Sequence, residues 1–367
     1  MTVGPRRSAE TRLEDVAAEA GVSRTSASRV MLGQGKVSED TRRRVRAAAD
    51  RLGYVTNVMA SELASGTSST IGLLLRDAAN PAYGLLFTQL QKAAHDADLT
   101  LVSMTISADD HGRAQVASLH RLMGMRVAGL IVATGGVTSE QLEPFRTRIP
   151  IVRAGRPETT DVVHAVSYDE EDAGRRLAEH IASLGHTDVA VQVTGEEDSY
   201  PEYVRGTTML MVLGEHGVRV RRVDVGTRSD GVADTVALVA AGAVTAVMCP
   251  SDLRQLNVLR ALAGAGFRVP QDVSVSGCDG ILPGADLMGL TTFRIPVEEV
   301  ARRAVAHMAH LLGQAPPSGI VNERVRGLLV PGRTAGPPPA GADGPNPASA
   351  GGTPPSPRAE PDEGPTR

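Results

Sequence analysis

Between residues 11 and 56 the apolar positions recur at helical spacing in three short runs. Leu13, Val16, Ala17 and Ala20 fall at i, i+3, i+4 and i+7, which predicts an amphipathic helix, and Gly21 ends that run as a C-cap residue. Ser23 stands where an N-cap belongs for a second helix, whose Ala27, Val30 and Met31 share one face. A third helix is predicted from Ser38. Glu39 and Asp40 lie in its positive first turn, and Val45, Ala48, Ala49 and Leu52 form its apolar stripe before Gly53.

From Thr70 the pattern changes to short β-rich runs alternating with helical segments. The runs are "IGLLLR", "LTLVSMT", "VAGLIVAT", "IPIVRAG", "DVAVQVTG", "VRRVDVG", "VTAVMCP" and "VSVSGCD". Between the first two, Leu86, Leu90, Ala93, Ala94 and Ala97 make one helical face. Apolar strands alternating with helices predict βαβ units and parallel sheets covered on both sides. About ten strands are more than one sheet comfortably holds, so two sheets are expected, with a crevice at their strand C-terminal ends. Residues 335–367 hold ten of the 23 prolines and hardly any aliphatic side chain larger than Ala. Such a segment buries too little to offset its ordering entropy, and the tail is expected to be disordered.

Two short helices of about eight residues are marginal in water alone, and a third packed across both supplies the missing burial. Helix, glycine-containing turn, second helix and third helix make a helix-turn-helix arrangement. The second helix leaves Arg24, Thr25, Ser28 and Arg29 outside this core. Arginine can grip guanine bidentately and hydroxyls can bond phosphate or base edges, which suits DNA. A plain three-helix bundle with a polar face accounts for the same pattern.

Charge sharpens this picture. The net charge is -4, yet residues 1–66 hold eleven Lys/Arg against eight Asp/Glu, and the remainder 27 against 34. A basic head on an acidic body fits a polyanion partner for the head alone. Two cysteines, Cys249 and Cys278, make no disulfide framework or metal spacing and are expected to be buried thiols at strand ends. No signal peptide and no apolar run of about 18 residues is present, so a cytoplasmic protein without membrane contact is expected.

The run "RLEDVAAEAGVSRTSASRVMLGQGKVSEDTRRRVRAAADRLGYVTN" resembles the start of the lactose-repressor (LacI/GalR) family of bacterial transcription regulators. The likeness continues through "IGLLL", "NPAYGLL", "AGLIV", "IPIVRAGRP", "ASLGHTDVA", "VRVPQDVSVSGCDG" and "LTTFRIPVEEVARRA", over residues 11–334. It implies an α head with a helix-turn-helix and an α/β body, a two-subdomain, periplasmic-binding-protein-like (type I) effector domain with parallel sheets. Its domains would be an N-terminal extension over 1–10, the DNA-binding domain over 11–56 and a hinge helix over 57–66. The effector-binding and dimerisation domain over 67–334 and the tail complete the chain.

The resemblance also implies roles. Arg24, Thr25 and Arg29 fall where the recognition helix reads bases, and Ser23, Ser26 and Ser28 where short polar side chains hold phosphates. Asn57 opens the hinge helix, Ala60 falls where a small residue lets two hinge helices approach, and Leu63 on the leucine that wedges into the minor groove. Thr56 stands where the hinge usually has Pro, and Glu62 would meet phosphate repulsion. In the body, Tyr83, Arg156, Arg205, Asp252 and Asp279 match effector-binding positions. Carboxylates that accept and guanidiniums that donate suit a polyol such as a sugar. By their residues alone, Arg156 and Asp252 read equally well as a salt-bridge partner and a helix N-cap.

The implied protein is a homodimeric repressor that binds a pseudopalindromic operator in double-stranded DNA and answers to a small-molecule effector. It would be cytoplasmic and on the nucleoid when bound. A transport solute-binding protein shares the body's architecture but would lack the head. An enzyme is the remaining alternative, yet no G-x-G-x-x-G after the first strand, G-x-S-x-G or P-loop is present. No catalytic residue, metal site or cofactor is expected, and the nine histidines show no metal-like cluster.

Overall fold

A computed structural model of the chain describes residues 11–33, 35–55, 68–105, 113–226, 229–313 and 319–340. Thr56 and the expected hinge residues Asn57, Ala60, Glu62 and Leu63 lie outside the described residues, as do residues 1–10 and 341–367.

The head contains α1 (Leu13–Glu19), α2 (Arg24–Met31) and α3 (Glu39–Leu52). Ser23 Oγ accepts from Ser26 N–H at 3.1 Å, as an N-cap does, and Ser38 Oγ accepts in the same way from Thr41 N–H at 3.2 Å, just before the first residue of α3. Gly53 closes α3 in the left-handed region at φ 61°. Val16, Ala17, Ala20, Ala27, Val30, Val45, Ala48 and Ala49 form one buried cluster, with Leu13, Met31, Leu52 and Tyr54 packed around it. Each helix thus contributes the face its spacing predicted. Thr11 Oγ1 donates to Leu52 O at 3.0 Å, and Arg51 pairs with Glu19 at 3.0 Å, tying α3 back to the start of the head.

The chain divides into two compact units. One takes in the chain to Asp169 together with Ile295–Leu328, the other Glu170–Arg294 and the chain from Leu329.

In the first unit a six-stranded parallel sheet runs β11-β5-β4-β3-β1-β2. Its strands are β1 (Thr70–Leu75), β2 (Thr100–Thr105), β3 (Gly129–Ala133), β4 (Ile151–Ala154), β5 (His164–Tyr168) and β11 (Asn322–Val325). The helices are α4 (Pro81–Asp96), α5 (Arg113–Gly124), α6 (Ser139–Arg146) and α12 (Val297–Leu311). Leu119, Leu122, Leu142 and Phe145 of α5 and α6 cluster with Leu74, Leu130 and Val132 of the sheet. A Cβ on Gly129 would meet Met308 of α12, so alternate residues of β3 face different helices. This two-sided burial explains why β3 reads as a continuous apolar run and β1 nearly so, while β4 is broken by Arg153. The edge strand β2 departs from it, with its six positions exposed or half-buried and none fully buried.

In the second unit β7-β6-β8-β9 form a four-stranded parallel sheet. The strands are β6 (Asp188–Thr194), β7 (Arg219–Val225), β8 (Ala246–Met248) and β9 (Ser274–Ser276). Its helices are α7 (Glu170–Ser183), α8 (Tyr200–Glu215), α9 (Val232–Ala240), α10 (Asp252–Gly264) and the short α11 (Ala285–Met288). Edge strand β7 carries Arg219, Arg221 and Arg222, charges that discourage pairing with another chain. Cys249 and Cys278 are buried and free.

Two features go beyond the sequence reading. A third, two-stranded sheet pairs β10 (Thr292–Arg294) with β12 (Leu328–Val330); three-residue strands carry too little periodicity to stand out. The ordered chain also runs past the boundary expected at residue 335. Gly336 N–H donates to Ser274 Oγ at 3.0 Å, and its carbonyl lies 2.9 Å from His186 Nε2.

Candidate functional site

On α2 the buried Ala27 and Val30 point into the head, which leaves Arg24, Thr25 and Arg29 exposed and Ser26 and Ser28 half-buried. All six residues from Ser23 to Arg29 named for DNA contact therefore sit on one short helix and its cap. Ser23 and Ser26 hydroxyls lie 3.0 Å apart, so part of their hydrogen-bonding capacity is already spent on capping. Arg24 Nε lies 3.5 Å from Glu14 Oε1 in a solvent-exposed pair, which water screens enough for the guanidinium to exchange partners cheaply. The arrangement is a convex, donor-rich helix face, the shape a major groove admits.

The second unit brings Arg205, Asp252 and Asp279 together. Asp252 begins α10 after β8, and Asp279 follows β9, so both stand at strand C-terminal ends, where open α/β sheets bind ligands. Arg205 lies on α8 and is almost completely buried. Its Nη1 donates to Asp279 Oδ1 at 2.8 Å and to Pro250 O at 3.0 Å. Its Nε and Nη2 hold the two oxygens of Glu170 in a fork, the second at 3.1 Å. Glu170 reaches it because α7 and α8 approach closely at Gly174, where a Cβ would stand 2.7 Å from Arg205 O.

Asp252 is fully buried and uses both oxygens inside the unit. Oδ2 accepts from Gly280 N–H at 2.7 Å and Oδ1 from Thr292 Oγ1 at 2.6 Å. Ser251, rather than Asp252, is the N-cap of α10. Burial pushes Asp252 up to about 6 against these hydrogen bonds, and Asp279 up to about 7 against the attraction of Arg205. The Asp279 side chain keeps 16% of its surface open, more than Glu170 or Asp252 does.

Tyr83 and Arg156 belong to the first unit. Tyr83 lies in the first turn of α4, capped by Asn80 Oδ1, which accepts from Ala82 N–H at 3.0 Å. Arg156 lies in the turn after β4, half-buried, with Nη1 donating to Gly135 O. Among the described residues no His, Cys, Asp and Glu come together in a group that could hold a metal ion, and no helix is long and apolar enough to cross a membrane.

Known proteins decide what this assembly is. The sequence profile described as "Bacterial regulatory proteins, lacI family" matches residues 12–57, and that of the "Periplasmic binding protein-like domain" matches residues 178–334. The chain is similar to the HTH-type transcriptional regulator MalR of Streptomyces coelicolor, 30% identical over 344 residues that span 89% of this chain and 98% of the relative. The chain belongs to the lacI family of bacterial regulatory proteins.

As a member of that family it is a DNA-binding transcriptional regulator whose body is an effector-binding domain. Among solved structures it is similar to the Lac repressor bound to ONPG in its repressed state, with 25% identity and a TM-score of 0.76 over 88% of this chain and 99% of the other. It is also similar to the complex of transcriptional regulator CelR with cellobiose, with 26% identity and a TM-score of 0.61 over 88% and 99%.

Sequence reasoning missed Glu170, the strongest partner of Arg205. "DEEDAG" offers Asp169, Glu170, Glu171 and Asp172 in succession, and nothing local tells which one turns inward. Thr292 was equally silent. A hydroxyl inside a three-residue strand gives no sign that it will cap a carboxylate 40 residues away.

Proposed function

We propose that this lacI-family regulator is a homodimeric repressor whose operator affinity is set by a sugar or a related polar metabolite. The observation that carries the effector reading is the Arg205–Asp279 pair, where a buried guanidinium holds one carboxylate oxygen at 2.8 Å and leaves the group partly open to solvent. A fixed acceptor of this kind recognises hydroxyl donors, and a related regulator is known in complex with cellobiose. Arg205 and Asp279 are the proposed effector groups of the second unit, with Asp252 as the support beneath them. Tyr83 and Arg156 are the proposed groups of the first.

Dimerisation follows from the size of the reading head. One eight-residue recognition helix contacts too few base pairs for useful specificity, and two related by a two-fold axis read a pseudopalindrome. Arg24, Thr25 and Arg29 are proposed for base contacts and Ser23, Ser26 and Ser28 for phosphates. Asn57, Ala60 and Leu63 are proposed to act in the hinge, with Leu63 as the minor-groove wedge. Such a regulator works in the cytoplasm, on the nucleoid.

The test is selection of duplexes from a random pool by the purified protein, then release of the selected operator by candidate sugars. A two-fold motif whose binding falls steeply with salt is expected. Enrichment of no two-fold motif would sink the dimeric reading, and no sugar that alters release would sink the effector assignment.

A further inference from the structure

β4 is an interior strand of a six-stranded parallel sheet, yet its third residue is an arginine with 2% of its surface exposed. The Arg153 side chain runs to the C-terminal edge of the sheet. There Nε donates to Glu158 Oε2 at 3.0 Å and Nη2 to Val137 O at 2.9 Å, with Ser139 Oγ at 3.4 Å. Glu158 has no exposed side-chain surface. Its Oε1 accepts from Ser139 Oγ at 2.6 Å, from the N–H groups of Thr159 and Thr160 at 3.0 Å each, and from Thr160 Oγ1 at 2.7 Å. Its carbonyl accepts from Asn322 Nδ2 of β11.

Stability does not account for this pair. Burying two charges costs several kcal/mol each before their attraction is counted, and an apolar pair of similar volume is often as stable or more so. The cost is not even fully offset here, because Arg153 Nη1 is buried with no hydrogen-bond partner among the described residues. What an ionic pair supplies that leucines cannot is directional geometry. Arg153 grips the loop after β3 through Val137, Glu158 grips the turn after β4 through its own backbone, and Ser139 is shared by both. Arg156 sits between the two loops, in the turn that Glu158 closes, with its guanidinium on Gly135 O of the other loop.

We infer that Arg153 and Glu158 are positioning residues for Arg156, an internal clamp that holds the 135–139 loop and the 155–160 turn in one register so that the Arg156 guanidinium is pre-set for the effector. This rests on the reading of Arg156 as an effector group. Burial disfavours the Glu158 carboxylate, but hydrogen bonds from Ser139 and Thr160 outweigh it and bring the group down to about 2, so Glu158 stays ionised near neutral pH. Pre-organisation of this kind raises ligand affinity by removing the ordering cost at the moment of binding.

The experiment uses the full chain and the variants Glu158→Gln and Arg153→Met/Glu158→Gln; the double variant leaves no orphaned charge and guards against simple unfolding. Hydrogen exchange at Thr159 and Thr160 is expected to quicken about tenfold or more in both variants while the rest of the first unit keeps its protection. With lactose, maltose and cellobiose as probes, the concentration that half-releases operator should rise about tenfold for whichever sugar acts, with operator affinity in its absence within about twofold of wild type. Unchanged exchange in the double variant overturns the clamp. Faster exchange with an unchanged release midpoint overturns its role in setting Arg156. If no probe releases operator from the wild type, the effector reading fails on its own, and the exchange measurement still decides whether the clamp exists.

Discussion

Arg205 Nη1 lies 2.8 Å from Asp279 Oδ1, while the opposite edge of the same guanidinium is forked onto both oxygens of Glu170. One cation therefore serves two carboxylates, and a third, Asp252, is buried close enough to disfavour ionisation of Asp279. Burial outweighs the attraction of Arg205 for Asp279, which accepts a single hydrogen bond from it, while Glu170 takes two in a fork. The partly exposed carboxylate is thus held well above the usual carboxylate range, and this carries a pH dependence.

Asp279 is pushed up to about 7 and Asp252 up to about 6, chiefly by burial, from an unfolded value near 4. Both bind protons more tightly folded than unfolded. Their contribution to stability is full at about pH 4 and below, and is lost as pH rises through about 6 and then 7. The unfolding midpoint of the wild type relative to Asp279→Asn should therefore fall from about pH 4 to about pH 7 and level off above it, because the variant side chain does not titrate. An identical slope in the variant would show that Asp279 is ionised throughout.

Arg205→Met takes the guanidinium fork from buried Glu170 and one donor from Asp279. The expected loss is about 3–5 kcal/mol in urea unfolding, and Arg205→Met/Glu170→Gln should recover part of it, because Asp279 is then the one carboxylate that has lost the guanidinium. A double variant as unstable as the single one would place the cost in packing instead.

Gly280 has φ 63°, and an added Cβ would stand 2.5 Å from the Arg294 Cα. Gly242 has almost the same φ, 62°, with nothing within 4 Å of the added atom. Alanine at Gly242 pays only the left-handed backbone cost of about 1 kcal/mol, and Gly280→Ala should exceed it by about 1–3 kcal/mol. Equal losses at the two glycines would mean the β9–β10 connection yields freely.

Ser23 and Ser38 cap α2 and α3 with nearly equal hydrogen bonds, 3.1 and 3.2 Å. Alanine at either should cost the head about 1 kcal/mol. Only Ser23→Ala should weaken operator binding beyond what that lost stability explains, measured at matched salt. Equal losses of binding would remove Ser23 from the DNA contacts.

The head was legible almost residue by residue. Spacing alone marks Val16, Ala27, Val45 and Ala48 as core, and all four are completely buried, because a helix of fixed pitch makes its own face. The sheets were legible as apolar runs, but β5 was not. "HAVSY" is five residues that open on a histidine, and its place between β4 and β11 comes from pairing partners far along the chain. Arg153 illustrates the limit further, since a charge in the middle of "IPIVRAG" gave no sign that it would be among the most deeply buried side chains.

By itself, then, the sequence determined what is periodic: three small helices with a donor-rich outward face, and strands alternating with helices. Only the tertiary structure decided which charges are buried, which partner holds each, and which carboxylate stays open. Arg205 finds Glu170 across 35 residues and Asp279 across 74, and Asp252 spends both its oxygens on groups 28 and 40 positions away. Periodicity records the local geometry of the backbone, whereas the state of a buried charge depends on the distances and desolvation that the closed fold imposes.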